Sequence, residues 1–300
     1  MPNVTASSSA PEAELFYQDC NPSGTAGTVV LVHGWPLSWR MWEPQIGPLT
    51  EAGYRVVAYD RRGFGSSAFP WGGYDYDTLA ADLKDLMDEL DLRDAVLVGF
   101  SMGGGEVARY VGRYGTDRVS KVAFVSSVAP FMLKTDDNPD GVEGQVFEDM
   151  KAGIREDRPH FLAGFGKKFV GWGVLDHPIS EEMLHYAHRI ACDAQPKATL
   201  DCVDAFGRTD FRSDMARIDV PTLFVHGTGD DIVPIDPSAR QGHEMVEGSV
   251  LEEIDGAPHG LNLTHTDRFN EVLLNFLSGP EAAPARPAMT HQPADDVRRA

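Results

Sequence analysis

Cysteine and positive charge are both scarce in this sequence. Only 3 of the 300 residues are cysteine, and 26 lysines and arginines face 46 aspartates and glutamates. The three cysteines, at positions 20, 192 and 202, are an odd number without metal-type spacing, which argues against a disulfide framework and favours a reducing compartment, the cytoplasm. The net charge of −20 disfavours nucleic acid and anionic membrane surfaces as partners. We therefore expect small neutral molecules as partners.

Long hydrophobic runs are also missing. No apolar stretch reaches the roughly 18 residues of a membrane span, and the first ten residues lack the basic and apolar regions of a secretion signal. We expect no contact with a membrane. Hydrophobic residues nevertheless make up 42% of the chain, which is enough to bury a sizeable core.

The composition divides the chain into four parts. Residues 1–11 are rich in Ser, Ala and Pro and are predicted to form a disordered arm. Alternating strand and helix patterns in 12–130 and 213–278 predict an α/β core, with a mostly parallel central sheet and helices on both faces. The pattern changes to helical segments over 131–212, which predicts a helical cap, and the Ala/Pro-rich residues 279–300 are expected to be a flexible tail.

Within the core, apolar runs predict six buried strands, and apolar residues at helical spacing predict helices. Asp77 is expected to cap the helix that carries Leu79, Leu83 and Leu86. The predicted strands are 28–32, 54–59, 95–98, 119–126, 221–226 and 249–254, and a last helix is expected over about 267–277.

The pattern Gly-Phe-Ser-Met-Gly at 99–103 joins a strand to a helix. Such a sharp turn lifts a serine hydroxyl clear of the sheet, where a base can reach it, and it requires small residues two positions either side. Gly99 and Gly103 meet that requirement. We therefore predict that Ser101 is a nucleophile.

A nucleophilic serine needs a base, and the base needs an orienting carboxylate, in the chain order Ser, Asp/Glu, His for this kind of sheet. His259 follows the last predicted strand directly, in a loop at the carboxyl end of the sheet. Asp230 lies four residues beyond the preceding strand, in a glycine-containing loop that can turn back toward the imidazole. Asp231 is the rival candidate for the carboxylate, and Asp255 is a weaker one.

Four other histidines suggest alternatives. His33 and His226 also end strands, where a turn histidine bonded to nearby backbone is the simpler interpretation. His185 and His188, near two glutamates at 181 and 182, could share a helix face as metal ligands. Because no open-site metal motif accompanies them, a solvated helix face is favoured, and no metal site is predicted.

The negative oxygen formed during acyl transfer needs two backbone N–H donors. The sequence offers Met102, directly after the nucleophile, and Trp35, in the loop after the first predicted strand, where Pro36 can stiffen the backbone. An apolar substrate pocket is predicted from aromatic residues of the cap. The candidates are Phe131, Phe147, Phe161 and Phe165. Of the six cap aromatics, which also include Phe169 and Trp172, half or more are expected to pack the cap onto the core instead.

Five motifs together resemble the α/β-hydrolase fold, and in particular its bacterial arylesterases and cofactor-free (non-haem) chloroperoxidases. They are Val-His-Gly-Trp-Pro-Leu at 32–37, Tyr-Asp-Arg-Arg-Gly-Phe-Gly at 59–65, Gly-Phe-Ser-Met-Gly-Gly-Gly-Glu at 99–106, His-Gly-Thr-Gly-Asp-Asp-Ile-Val-Pro at 226–234 and Ala-Pro-His-Gly-Leu at 257–261. The resemblance covers about residues 12–277. It implies a triad of Ser101, Asp230 and His259, oxyanion donors at Trp35 and Met102, and no cofactor.

The resemblance also implies an activity. We expect cleavage of small carboxylic esters through an acyl-enzyme, with water or hydrogen peroxide accepting the acyl group, since members with a proline at the position of Pro36 are associated with perhydrolysis. Relatives commonly assemble as homo-oligomers. Thr228 stands where close relatives often carry aspartate, and the tail has no counterpart. A lactonase, amidase or carbon–carbon hydrolase would use the same triad, and a ligand receptor on this scaffold is the alternative outside enzymes.

Overall fold

The computed structural model describes residues 2–8 and 10–279. Eight strands form one sheet in the order β1-β2-β4-β3-β5-β6-β7-β8. The strands are β1 (Asn3–Ala6), β2 (Ala13–Cys20), β3 (Thr28–Val32), β4 (Arg55–Tyr59), β5 (Ala95–Phe100), β6 (Val119–Val125), β7 (Thr222–Gly227) and β8 (Val250–Ile254). β1 pairs antiparallel with β2, and β2 antiparallel with β4, whereas every other neighbouring pair is parallel.

The central strands carry Val, Leu, Ala and Phe on both sides of the backbone. All six residues of β5 and of β7 are buried, so both faces of the sheet are covered. One group of helices, α1, α9 and α10, packs together, and another group consists of α2, α3 and α7. These helices are α1 (Glu43–Glu51), α2 (Tyr76–Glu89), α3 (Met102–Tyr114), α7 (Arg212–Met215), which ends the β6–β7 connection, α9 (Leu261–Thr264) and α10 (Thr266–Ser278), and the short α8 (Gln241–Met245) lies between β7 and β8.

Three helices occupy most of the connection between β6 and β7. They are α4 (Gly144–Phe169), α5 (Glu181–Cys192) and α6 (Pro196–Arg208), and α4 packs against both of the others. α4 is kinked at Asp157, whose backbone is not helical, two residues before Pro159. Proline cannot donate its backbone nitrogen to the preceding turn, and the Asp157 carboxylate accepts from His160 N at 3.0 Å, which caps the second half of the helix.

The amino-terminal segment is a strand where the sequence predicts a disordered arm. Val4 and Ala6 are buried, and β1 forms a register with Ala13–Phe16 of β2. The polar, proline-containing composition of this segment does not reveal that alternate residues cover an apolar edge of the sheet. The predicted flexible tail, apart from Gly279, lies outside the described residues.

The cap of helix α2 lies two residues earlier than predicted. Asp75, not Asp77, is the cap, and its carboxylate accepts from Thr78 N at 3.0 Å. Asp77 instead pairs with Arg109 and Arg113 of α3. Within the residues that the structure describes, no helix is both long enough and apolar enough to cross a membrane.

Candidate active site

Ser101 lies at the sharp turn between β5 and α3. Its φ of 51° and ψ of −117° are unusual for a residue with a side chain, and its backbone N–H donates to Val125 O at 2.8 Å, which helps to hold the turn. Gly99 and Gly103 are required because the turn leaves no room for a side chain at either position. A Cβ on Gly99 would lie 2.5 Å from Gly103 O, and one on Gly103 would lie 2.4 Å from Val32 O. The strained turn presents the Ser101 hydroxyl at the carboxyl end of the sheet.

The structure brings Ser101, His259 and Asp230 together. His259 Nε2 lies 2.9 Å from Ser101 Oγ, and His259 Nδ1 lies 2.7 Å from Asp230 Oδ2. His259 follows β8, and Asp230 follows β7, so two loops at the same end of the sheet supply the base and the carboxylate. All three residues are at most 7% exposed, which shields their hydrogen bonds from water.

The Asp230 carboxylate is surrounded by four donors. Oδ1 accepts the backbone N–H groups of Ile232 and Val233 at 2.9 and 2.8 Å, whereas Oδ2 faces His259 and, at 3.2 Å, His226 Nε2. Burial on its own would raise the pKa of this carboxyl, but the two histidines lower it more, and the pKa of Asp230 lies well below its ordinary value. A buried carboxylate that stays ionised can hold an imidazole in one tautomer and stabilise its protonated form.

The loop after β3 lies directly against the serine turn. A Cβ on Gly34 would come within 3.3 Å of Ser101 Cβ, and the indole of the next residue, Trp35, is 3% exposed. Within residues 2–8 and 10–279, neither Trp35 N nor Met102 N donates a hydrogen bond to the protein. Both N–H groups are therefore available to an acceptor beside Ser101.

A buried network of hydrogen bonds around Arg61 holds the loop after β3. Arg61 donates from Nε to Glu106 Oε2 at 2.6 Å and from Nη2 to His33 O at 2.8 Å, and its backbone N–H donates to His33 Nε2 at 3.0 Å. Burial, and then the positive charge of Arg61, lower the pKa of His33 well below its ordinary value, so the ring is neutral. The interpretation of His33 as a structural turn histidine agrees with these contacts. The pairing of Arg61 with Glu106 was not predicted, although both residues stand in the quoted motifs.

An apolar cavity of about 40 Å³ lies beside Ser101. It opens onto a wider groove of about 580 Å³, and Val142, Val146, Met150, Phe165 and Ile232 line both. The small volume limits what can bind next to Ser101, whereas the groove is large enough for a bulkier group. The other residues lining the inner cavity are Trp35, Val128, Met132, Phe147, Phe206 and Val233.

Three of the four predicted pocket phenylalanines lie at these cavities. Phe147 lines the inner cavity, Phe161 lines the groove, and Phe165 lines both. Phe131 lines neither; it is 6% exposed, and the Arg212 guanidinium lies over its ring at 5.1 Å. Phe131 stands at the start of the β6–β7 connection and is buried against the Arg212 side chain rather than at either cavity.

The remaining candidates lie away from the serine. Asp231 is exposed at the wall of the groove, and Asp255 accepts a hydrogen bond from Thr228 at 3.2 Å. His188 Nε2 lies 3.0 Å from Pro159 O, and the exposed His185 lies 3.9 Å from Glu181. In the part of the chain that the structure describes, no three His, Cys, Asp or Glu side chains are grouped as metal ligands.

The sheet is mostly parallel, the serine lies at the strained β5–α3 turn, and the aspartate and histidine lie in loops after β7 and β8. This is the arrangement of α/β hydrolases. A family model described as alpha/beta hydrolase fold matches residues 27–266. The chain belongs to this family.

Comparison with individual relatives shows which α/β hydrolases the chain resembles. The chain is 41% identical to a non-heme chloroperoxidase from Kitasatospora aureofaciens, and the match covers 88% of this chain and 96% of the relative. It is 37% identical to a bifunctional esterase/perhydrolase from Acinetobacter calcoaceticus, and that match also covers 88% of this chain and 96% of the relative. The crystal structure of a bromoperoxidase from Bacillus anthracis superposes with a TM-score of 0.88 at 48% identity, and the match covers 93% of this chain and 100% of that one. Each of the three matches covers nearly the whole length of the relative.

Proposed function

We propose that this protein is a serine hydrolase that cleaves small carboxylic esters through an acyl-enzyme and passes the acyl group to water or to hydrogen peroxide. The observation that carries the proposal is the continuous chain of contacts from Ser101 Oγ through His259 to Asp230, at 2.9 and 2.7 Å. The names of the relatives support both the ester substrate and the peroxide acceptor.

In the first half of the reaction, Ser101 Oγ attacks the ester carbonyl carbon while His259 Nε2 takes the hydroxyl proton. The carbonyl oxygen becomes negative and accepts hydrogen bonds from Trp35 N and Met102 N. When the carbon–oxygen bond to the alcohol breaks, His259 returns its proton to the departing oxygen. The products are a free alcohol and an acyl group on Ser101.

In the second half, His259 removes a proton from water or hydrogen peroxide, which attacks the acyl carbonyl. Collapse of the intermediate restores the Ser101 hydroxyl and releases a carboxylic acid or a peracid. A peracid oxidises halide ions in solution, which would account for halogenation without a cofactor. The inner cavity of about 40 Å³ favours a short acyl group, with the alcohol part in the groove.

Labelling and a substrate panel test the proposal. An alkyl fluorophosphonate, whose phosphorus is attacked by the serine oxygen with departure of fluoride, should modify one residue, Ser101, with loss of the label in Ser101→Ala and a much slower reaction in His259→Ala. Ser101→Ala should also lower ester turnover by several orders of magnitude. Near-complete turnover by a folded Ser101→Ala variant would refute the proposal, and labelling without turnover of any substrate would indicate a receptor.

The panel should contain aryl and alkyl esters, lactones and amides, each with and without hydrogen peroxide, together with a bromide-dependent halogenation assay. Ester cleavage faster than lactone or amide cleavage, with peracid formed only when peroxide is present, is the expected result. Faster turnover of a lactone or an amide would move the assignment to that class.

The proposal also covers the cellular compartment and the oligomeric state of the enzyme. We propose a cytoplasmic homo-oligomer, supported by three cysteines that are free in the structure and by the family resemblance. Light scattering coupled to size exclusion should give a mass that is a multiple of 32.8 kDa.

A further inference from the structure

His226 is the last polar side chain of β7 and is fully buried beside Asp230. Its Nε2 lies 2.9 Å from Val233 O and 3.2 Å from Asp230 Oδ2. Both of these neighbours are acceptors, so Nε2 must carry the proton and share it between them. The sequence-based interpretation of His226 as a histidine bonded to nearby backbone accounts for the first contact only.

The other ring nitrogen of His226 indicates that the Nε2–H donor is the feature that matters at this position. Nδ1 is buried and has no hydrogen-bond partner among the described residues. An orphaned buried acceptor costs stability, and an apolar side chain would avoid that cost. The feature that an apolar residue could not supply is the Nε2–H donor toward the carboxylate.

We propose that His226 is a positioning residue for the reaction, which holds the Asp230 carboxylate through a second donor to Oδ2 and draws negative charge away from that oxygen. This inference rests on the proposed function. Oδ1 is fixed by two backbone N–H groups, and without His226 the one donor to Oδ2 among the described residues would be His259 itself. With His226 present, Asp230 keeps its orientation while His259 accepts and returns its proton.

Charged groups of the described residues stand beside His226 on two sides. Asp230 and His259 lie on the site side, and Glu253 of β8 stands beside His226 in the sheet register. Glu253 is held by Arg240 at 2.7 and 2.8 Å, so its charge is already paired. The charge distribution on Asp230 Oδ2 is therefore the property that a change at His226 should alter most.

The test compares His226→Leu, which has no donor, with His226→Gln, whose amide nitrogen can occupy the position of Nε2. We expect His226→Leu to lower kcat about tenfold with little change in KM, because one charge-assisted hydrogen bond is lost near the reacting groups. The acid limb of its kcat/KM profile should move to higher pH, because the charge on Oδ2 that His226 no longer shares acts on the neighbouring imidazole. His226→Gln should restore the wild-type profile and most of kcat.

Nuclear magnetic resonance of the wild-type enzyme tests the inference even if the His226 variants do not fold. We expect two imidazole N–H protons protected from exchange, on His259 Nδ1 and His226 Nε2. Modification of Ser101 by a phosphonate should shift both of them, since the two rings share Asp230 Oδ2. A His226 resonance that does not respond would overturn the inference.

Kinetic outcomes separate this inference from the proposed function. Wild-type kcat and pH profile in a folded, phosphonate-reactive His226→Leu enzyme, or identical defects in the Leu and Gln variants, would overturn the role of His226 alone. If Ser101→Ala retained turnover, the proposed function itself would fail, whatever the His226 variants showed.

Discussion

The indole Nε1 of Trp35 donates a hydrogen bond to Thr199 O at 3.0 Å, which ties the loop after β3 to helix α6. The two residues are 164 positions apart in sequence. Trp35 also contacts the rings of Phe165 of α4 and Phe206 of α6, at 5.2 and 5.6 Å between centroids. The inserted helices thus help to hold a backbone N–H that we propose as an oxyanion donor.

This tie predicts the effect of Trp35→Phe. The variant keeps an aromatic ring but loses the indole donor, which leaves Thr199 O buried with one partner fewer. We expect kcat to fall about three- to tenfold, equivalent to one modest hydrogen bond, because the loop that carries the donor is held less firmly. Steady-state kinetics with a short acyl ester measures the change, and Trp39→Phe, in the half-buried neighbouring turn, is the control. Unchanged kcat in Trp35→Phe would show that the tie has no effect on catalysis.

Asp230→Asn should preserve the shape of the site and remove its negative charge. An amide can offer His259 Nδ1 either an oxygen or an N–H group, and it cannot stabilise the protonated imidazole. We expect kcat to fall by about three to four orders of magnitude at neutral pH. The matched control is Asp231→Asn, one residue further on and exposed, which should stay within about twofold of wild type. A comparable loss in Asp231→Asn would mean that the carboxylate was assigned to the wrong residue.

Met150→Ala should change which acyl chains are accepted. Met150 lines the inner cavity and the groove, so its truncation enlarges the passage between them. Each additional methylene buried there is worth about 0.8 kcal/mol, which corresponds to a few-fold gain in kcat/KM for longer acyl esters relative to acetyl esters. Met183→Ala is the control, because Met183 lines a separate apolar cavity under α5. The same shift in both variants would contradict the assignment of the acyl site.

Asp60 should make stability depend on pH. Burial raises the pKa of this carboxyl to about 6, even though it accepts the backbone N–H groups of Trp39 and Ser66. Its unfolded pKa is near 3.9, so the folded state holds the extra proton between about pH 4 and pH 6, and the contribution of Asp60 to the free energy of unfolding falls as the pH rises through that window.

Two pKa units correspond to about 3 kcal/mol, as an upper limit. Urea unfolding of wild type and Asp60→Asn should therefore show wild type losing stability relative to the variant between pH 4 and 6, and no further relative change above about pH 7. A difference between the two proteins that is constant from pH 4 to 8 would contradict the raised pKa.

Much of the core could be predicted because its signals are local. Predicted strand 28–32 agrees with β3, and the other predicted core strands differ from the observed ones by one or two residues at one or both ends. Strand β2 was not predicted, although Ala13, Leu15 and Glu14 alternate between buried and exposed positions. A short alternation beside a polar segment is weak evidence for a strand until its partner is known. The pairing with β4 provides that partner.

The pocket was less predictable than the triad candidates, for a physical reason. Catalytic groups need particular atoms, so residue type and motif restrict the candidates for them to a few positions. A cavity wall needs only apolar volume, which many side chains provide. Phe131 and Phe165 have the same side chain, but only Phe165 lines the cavity, and which of the two rings turns inward depends on how the β6–β7 connection packs onto the core.

The sequence alone determined the strand–serine–helix turn, the order of serine, aspartate and histidine, and the glycines at 99 and 103, since backbone sterics and residue chemistry act over a few positions. Only the tertiary structure decided that Asp230 rather than Asp231 reaches His259, that His226 shares the same carboxylate oxygen, and that α6 holds Trp35. Those choices depend on tenths of an ångström between segments that meet only after the sheet and its inserted helices have packed together.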